Sequence, residues 1–222
     1  MPGSHAGRLA LLAALAVAAA LPAALAAAEV YVPVVNPVTN DGSRSETELW
    51  IVNPGTTGAS ATTFYLDAES NGTQRTGNGT IVTVAAGRSV NVTRLAQTGK
   101  SGLAAVEVGS GSLLVEGRIV TTSPSGGVVI SRLPVVSDAT KLAAGAKALL
   151  LGLERDPERG RLLHFGLINV GTQPAQCQVA FFRADGVPLA GTITLEVKPV
   201  SLRHFSDALG IIGAGRVSGV RA

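Results

Sequence analysis

The chain has 222 residues, 46% hydrophobic and 15% charged, with 27 glycines, 11 prolines and 4% aromatic residues. Its 18 Lys and Arg stand against 15 Asp and Glu, without a basic cluster. That near-balance speaks against a nucleic-acid binder, whose positive charge gathers on one face. The lone Cys177 excludes a disulfide within the chain.

Residues 1–28 differ in composition from the rest. A short segment with one cation, Arg8, precedes the Ala/Leu-rich run "LALLAALAVAAALPAALAAA". Small residues at Ala24-Leu25-Ala26 and Ala26-Ala27-Ala28 follow the helix-breaking Pro22. These are the three regions of an export signal, with cleavage expected after Ala26 or Ala28. An uncleaved anchor is the alternative, since about 20 apolar residues span a bilayer. No Cys follows the run, so a bacterial lipid anchor is not expected here. Cleavage removes Arg8 and no acid, leaving 17 of the 18 cations against 15 acids. The expected location is the periplasm, the cell surface or the medium, with no membrane span left after cleavage.

From Glu29 onward the chain reads as β throughout. Short runs rich in Val, Ile, Leu, Thr and Phe alternate with Gly, Pro, Asn, Asp and Ser clusters. In order they are "EVYVPVV", "TELWIVN", "ASATTFYL", "GTIVTV", "RSVNVT", "LAAVEV", "SLLVEGRIVTT" and "GVVISRLPVV". Regular turn signals between them predict an all-β antiparallel sandwich of the immunoglobulin-like (Ig-like) kind. The segment "VSDATKLAAGAK" (136–147) is small and polar enough to link two units.

The second unit is a partial copy of the first. "LWIVNPGTTGASATTFYL" (49–66) lies over "FGLINVGTQPAQCQVAFF" (165–182) without a gap. Asn53 matches Asn169, Gly55 matches Gly171 and Thr56 matches Thr172. Beyond the hairpin tip the offset falls from 116 to 113, because the first copy carries three extra residues there. Insertions at such tips are well tolerated. Thr93 and Ser206 are expected to cap one short helical turn each. The expected division is therefore a signal at 1–28, β-sandwich repeat 1 at 29–135, a linker at 136–147 and an incomplete repeat 2 at 148–222. The second copy has no counterpart of roughly residues 110–135, which hold two strong strands. A sandwich short of two strands exposes edges and core. The expected remedy is a strand-completing segment beyond Ala222, with strands lent by the first copy or by a partner as alternatives.

Few residues suggest chemistry. His164 and His204 remain after export, at different strand positions, with Glu48 and Asn91 as their counterparts. Polar strand-face histidines are the expected reading, and a catalytic pair the alternative. The chain lacks nucleophile-elbow, zincin, Walker and zinc-ligand patterns. "GAGRVSG" (213–219) follows no βα unit and is discounted as a phosphate loop. Asp41, Glu46 and Glu48 offer oxygen ligands of the kind calcium takes, but without the regular alternation; a solvated loop is expected. Sequons at Asn71, Asn78 and Asn91 read as polar hairpin residues. No catalytic residue, cofactor or metal site is assigned. Cys177 shares a strand face with Val179 and Phe181 and is expected to be a small core residue.

"NPGT" (53–56) reads as a type II turn, with Gly55 supplying a positive φ and Asn53 bonding its own backbone. Trp50 is harder to place. It faces away from the Leu49/Ile51 core stripe, and its counterpart is Gly166. It is the one candidate ligand-binding residue, an aromatic for a sugar ring or a partner. Packing against the second copy, or under a loop, is the expected reading, and ligand binding the alternative.

"SETELWIVNPGTTGASATTFYLDA", with "VAAGRSVNVTRL" and "GLAAVEV…LLVEGRIV", resembles modules of uncharacterised exported bacterial proteins with a T-x-L-W-x-x-N-P signature, often in tandem. The resemblance covers 30–135 and 146–222 and implies a secreted or surface β-sandwich. Gly166 and Val170 depart from the signature. The expected function is a non-catalytic binding or structural module in adhesion or matrix interaction, engaging a protein or glycan surface. A carbohydrate-binding module using an exposed Trp50 is one alternative. A hydrolase with a loop-borne site is another, expected to bring a histidine within reach of a carboxylate in a cleft.

Overall fold

The computed structural model describes residues 29–36, 42–75, 79–96, 98–159 and 162–222. Residues 1–28, and with them the expected export signal, lie outside the described residues, as do Asp41 and Asn78. The described chain is almost entirely β, and its sheets are antiparallel.

The first half contains eight strands: β1 (Glu29–Val35), β2 (Arg44–Val52), β3 (Ala59–Asp67), β4 (Thr80–Val84), β5 (Ser89–Val92), β6 (Ser101–Ser110), β7 (Leu114–Thr122) and β8 (Val128–Leu133). They form two four-stranded sheets, ordered β1-β6-β3-β4 and β5-β2-β7-β8. Alternation drives the packing. Ser45, Thr47, Leu49 and Ile51 of β2 are buried, while the residues between them face out. Leu49 and Ile51 meet Val32, Val34, Ala61, Val82, Val84, Ala104 and Val106 from the facing sheet. At the polar end of this core, Thr47 is held by Asn36, whose Oδ1 accepts from Thr47 N at 2.8 Å.

Strand β6 breaks the alternation. Leu103, Ala104, Ala105 and Val106 are all fully buried. A strand covered on both faces reads as a continuous apolar run rather than a stripe. Its inner face lines the first core, and its outer face lies under the second half.

The second half contributes β9 (Leu153–Arg155), β10 (Phe165–Asn169), β11 (Ala175–Val179), β12 (Ile193–Val197), β13 (Ser201–Phe205) and β14 (Val217–Val220). The pairs are β10-β13, β11-β12 and β9-β14, and an isolated bridge ties Phe182 to Arg221. Val179, Phe181, Ala208, Leu209 and Val220 form their core. The pairing repeats that of the first half at the offsets read from sequence. Leu49↔Val92 corresponds to Phe165↔Phe205, and Ala59↔Val84 to Ala175↔Val197.

The halves meet through Val200, Leu202, Ile168 and Val170, which rest on Tyr31, Phe64, Leu66, Leu103 and Ala105. Val200 has φ 44, a left-handed conformation that costs a β-branched residue. Its counterpart is Gly87, with φ 64. The turn is the same, but the second half fills it with a side chain that is buried at the junction. Gly72 N donates to Pro199 O at 3.1 Å across the same contact.

Three local expectations are corrected. Residues 94–96 form no helical turn, and Arg94 takes φ 58. The short helix α1 (Ala208–Ile211) does form, but Asp207 caps it, accepting from Gly210 N at 3.0 Å; Ser206 is not the cap. Neither Gly55 nor Gly171 takes a positive φ, so the turns are not type II. Glycine serves there because a Cβ would lie 3.1 Å from the Oδ1 of Asn53 or Asn169. At the expected linker, Val136 still pairs with Tyr31.

Candidate functional site

Asn53 and Asn169 organise equivalent turns. Asn53 Nδ2 donates to Thr57 O (2.7 Å) and Val84 O (2.9 Å), and its Oδ1 accepts from Gly55 N (2.9 Å). Asn169 Nδ2 donates to Gln173 O (2.8 Å) and Val197 O (3.1 Å), and its Oδ1 accepts from Gly171 N (2.9 Å). These side chains replace missing backbone partners at the ends of β2 and β10. Their role is structural.

Trp50 lies on the outer face of the β5-β2-β7-β8 sheet, between Asn91 of β5 and Glu116 of β7. It is half-buried. Its Nε1 donates to Glu48 Oε2 at 3.0 Å. The Arg118 guanidinium sits 5.3 Å from the ring centroid, within range of a cation–π contact. Glu116 fixes that guanidinium through bonds of 3.0 and 3.2 Å and also pairs with Arg132. The Arg118 hydrogen bond holds the Glu116 carboxyl below its ordinary value. The ring is thus framed by planar polar groups, and Arg118 covers part of it. It takes no part in the junction, which uses the opposite sheet, so packing against the second half does not explain it.

The histidines come together, which their spacing in sequence did not indicate. His164 Nδ1 lies 3.3 Å from His204 Nε2. The ring centroids are 5.4 Å apart and the planes differ by 17°. That separation suits two rings meeting edge to edge, with one N–H donating to the other nitrogen, better than two rings stacked face to face. Gly166 pairs directly with His204, so His164, two residues earlier, falls on the same face of the strand pair. The register of β10 against β13 was the signal available in sequence. In the first half Trp50 stands in the same place, between Glu48 and Asn91.

Burial, then the neighbouring His164, pushes the His204 pKa down to about 4. Burial also lowers that of His164, and the Asp207 charge partly offsets it. Asp207 is itself engaged by Arg155 through bonds of 2.8–3.0 Å. The hydrogen bond that the two histidines share runs from ring to ring, while Asp207 acts on His164 through its charge.

The histidines carry a pH prediction. The unfolded chain takes up a proton near pH 6.5, whereas folded His204 resists protonation until about 4. Stability is thus full above about 6.5 and falls as the pH drops toward 4. The loss expected is about 1–2 kcal/mol, discounted for partial exposure. Denaturant melts at stepped pH should show this slope, and His204→Gln should flatten it.

Other expected sites disperse. Glu46 lies in β2, where its Oε1 accepts from Arg94 N at 3.3 Å, and Glu48 is engaged by Trp50. Among the described residues no group of three or more His, Cys, Asp or Glu is placed to hold a metal ion. Cys177 is a half-buried free thiol on the expected face of β11. An open depression of about 400 Å³ is lined by Arg183, Asp185, Arg216 and Ser218 among others. No helix among the described residues is long and apolar enough to cross a membrane. Comparison with family models, curated proteins and solved structures finds no match.

Proposed function

We propose that the protein is an exported, non-catalytic binding or structural module built from two Ig-like β-sandwich copies. It acts at the cell surface, in the periplasm or outside the cell, in adhesion or matrix interaction. The reading as two copies is supported by the matched strand registers and the matched Asn turns. Export is supported by the composition of residues 1–28 and by the likeness to tandem modules of exported bacterial proteins. The near-balanced charge argues for a protein or glycan partner over nucleic acid.

The observation that carries the binding role is the Trp50 patch. A half-buried indole framed by Glu48, Asn91, Glu116 and Arg118 on an outer sheet face combines apolar area with oriented polar groups. Aromatic and Arg residues dominate binding energy at such patches. Binding of the wild type to arrays of glycans and matrix proteins should yield hits that Trp50→Ala weakens at least about tenfold, the scale of a residue central to an interface. Retention of every hit by Trp50→Ala, with its fold intact, would remove Trp50 from the function.

The planar polar frame also favours the carbohydrate-binding alternative, while the half-buried ring and its Arg118 cover weigh against it. Arg118→Ala separates the two. It uncovers the ring, so glycan binding should strengthen, whereas a protein ligand that uses the guanidinium should bind more weakly.

A further inference from the structure

His164 immediately precedes β10, and His204 lies in β13. The pairing of Gly166 with His204 sets both imidazoles on one face of that strand pair. His164 Nδ1 and His204 Nε2 face each other at 3.3 Å, and the ring planes differ by only 17°. His164 is exposed and His204 half-buried, so the pair can be reached from solvent. The equivalent places in the first half hold Glu48 and Asn91, so this juxtaposition belongs to the second half alone.

We propose that His164 and His204 form a binding site for a divalent transition-metal ion, zinc or copper, held by Nδ1 of the first ring and Nε2 of the second. The separation is the main argument. Zinc holds imidazole nitrogens at about 2.0 Å in a tetrahedral shell, which sets two ligand nitrogens about 3.3 Å apart. The rings meet edge to edge, so both nitrogens already face the gap an ion would enter. One nitrogen there carries the shared N–H. That ring moves its proton to its other nitrogen when the ion binds, so both rings stay neutral and no proton is lost. Neutral imidazole is the ligand form, and burial favours it by lowering the pKa of both rings. Imidazole selects zinc and copper over magnesium and calcium, which take oxygen ligands.

Asp207 contributes negative charge near His164, but its oxygens are engaged by Arg155. The protein therefore supplies two ligands, and water completes the shell. Those water positions are where a donor atom from a bound partner would enter. The ion also ties β13 to the residue that leads into β10, and a ligand that binds only the folded chain stabilises it.

The test is calorimetric titration of metal-stripped, untagged protein with zinc chloride at about pH 7.5, where imidazole is neutral. The wild type should bind one equivalent, and its melting temperature should rise by about 5 °C at saturation. Magnesium chloride should do neither. His164→Gln and His204→Gln should each weaken zinc at least about tenfold, a loss no smaller than that from removing an outer-sphere partner of a metal ligand. His5 and Cys177 are the remaining imidazole and thiol of the chain, and His5→Gln/Cys177→Ser should bind as the wild type does. The electron paramagnetic resonance spectrum of the copper-loaded wild type should show two coordinated nitrogens. No zinc binding up to about 1 mM, binding that survives either histidine substitution, or a copper spectrum with fewer than two nitrogens overturns the proposal. Should His204→Gln fail to fold, the exposed His164 and the copper spectrum decide. Trp50→Ala should leave zinc binding unchanged, so the site and the Trp50 patch stand or fall separately.

Discussion

Asn53→Ala should destabilise the protein by about 3–4 kcal/mol, a large fraction of a typical domain's stability. Asn53 is 1% exposed. Its amide satisfies the carbonyls of Thr57 and Val84, and its oxygen satisfies the N–H of Gly55. Alanine leaves these backbone groups without partners, and each buried orphan costs roughly 1–3 kcal/mol. For a chain of this size the melting temperature should fall by about 8–14 °C. Asn53→Asp is an informative companion. It keeps the Gly55 bond but sets a carboxylate against two carbonyl oxygens, so it should be no better than alanine. A shift of less than about 3 °C for Asn53→Ala would mean that water or a moved loop replaces the side chain. Asn169→Ala should have a cost of the same kind, felt first in the second half.

Leu202→Ala should uncouple the halves. Leu202 is 1% exposed and packs with Val200 against Leu66, Leu103 and Ala105. Truncating a buried leucine costs about 2–5 kcal/mol, and here the loss falls on a junction rather than within one core. The calorimetric transition should broaden or divide. Hydrogen exchange should rise in β10 and β13 before it rises in β2 and β7. Val200→Gly offers a graded version. It removes buried apolar surface worth roughly 1.5–3 kcal/mol but relieves a left-handed valine, a strain of about 1–2 kcal/mol, so the net loss should be smaller. A single sharp transition with unchanged protection in Leu202→Ala would show that the halves are coupled elsewhere.

The fold class was legible because period-2 alternation and turn residues are local signals, and the chain carries both in quantity. The offsets of 116 and 113 were legible for the same reason, and the strand registers follow them. What lay hidden was whatever depends on which face of a sheet meets what. Ala104 and Ala105 of β6 are small enough for a wet or a dry face, so alternation could not reveal that β6 is covered on both sides. Val200 gave no turn signal, since a β-branched residue at positive φ is held there by junction packing and not by its own preference. The Asn turns were found correctly by their residues but with the wrong role for glycine: closeness to the Oδ1, not a special φ, selects it. Helix capping turned on a one-residue difference, Asp207 in place of Ser206, because the carboxylate reaches both Gly210 N and Arg155. Trp50 was legible as an outlier, yet its frame is assembled from β5 and β7, which only pairing brings alongside. The histidine pair required the register of β10 against β13, which only pairing supplies.

The surface of β10 and β13 that rests on the first half corresponds to the one on β2 and β5 that bears Trp50. On β10 and β13 that surface is a seam, where Ile168 and Leu202 rest on Leu103 and Ala105. On β2 and β5 it is the outer face of a sheet and carries the indole of Trp50 beside Glu116 and Arg118. One strand register therefore serves two surroundings, and the residues that differ between the equivalent faces, not the pairing, decide which is covered.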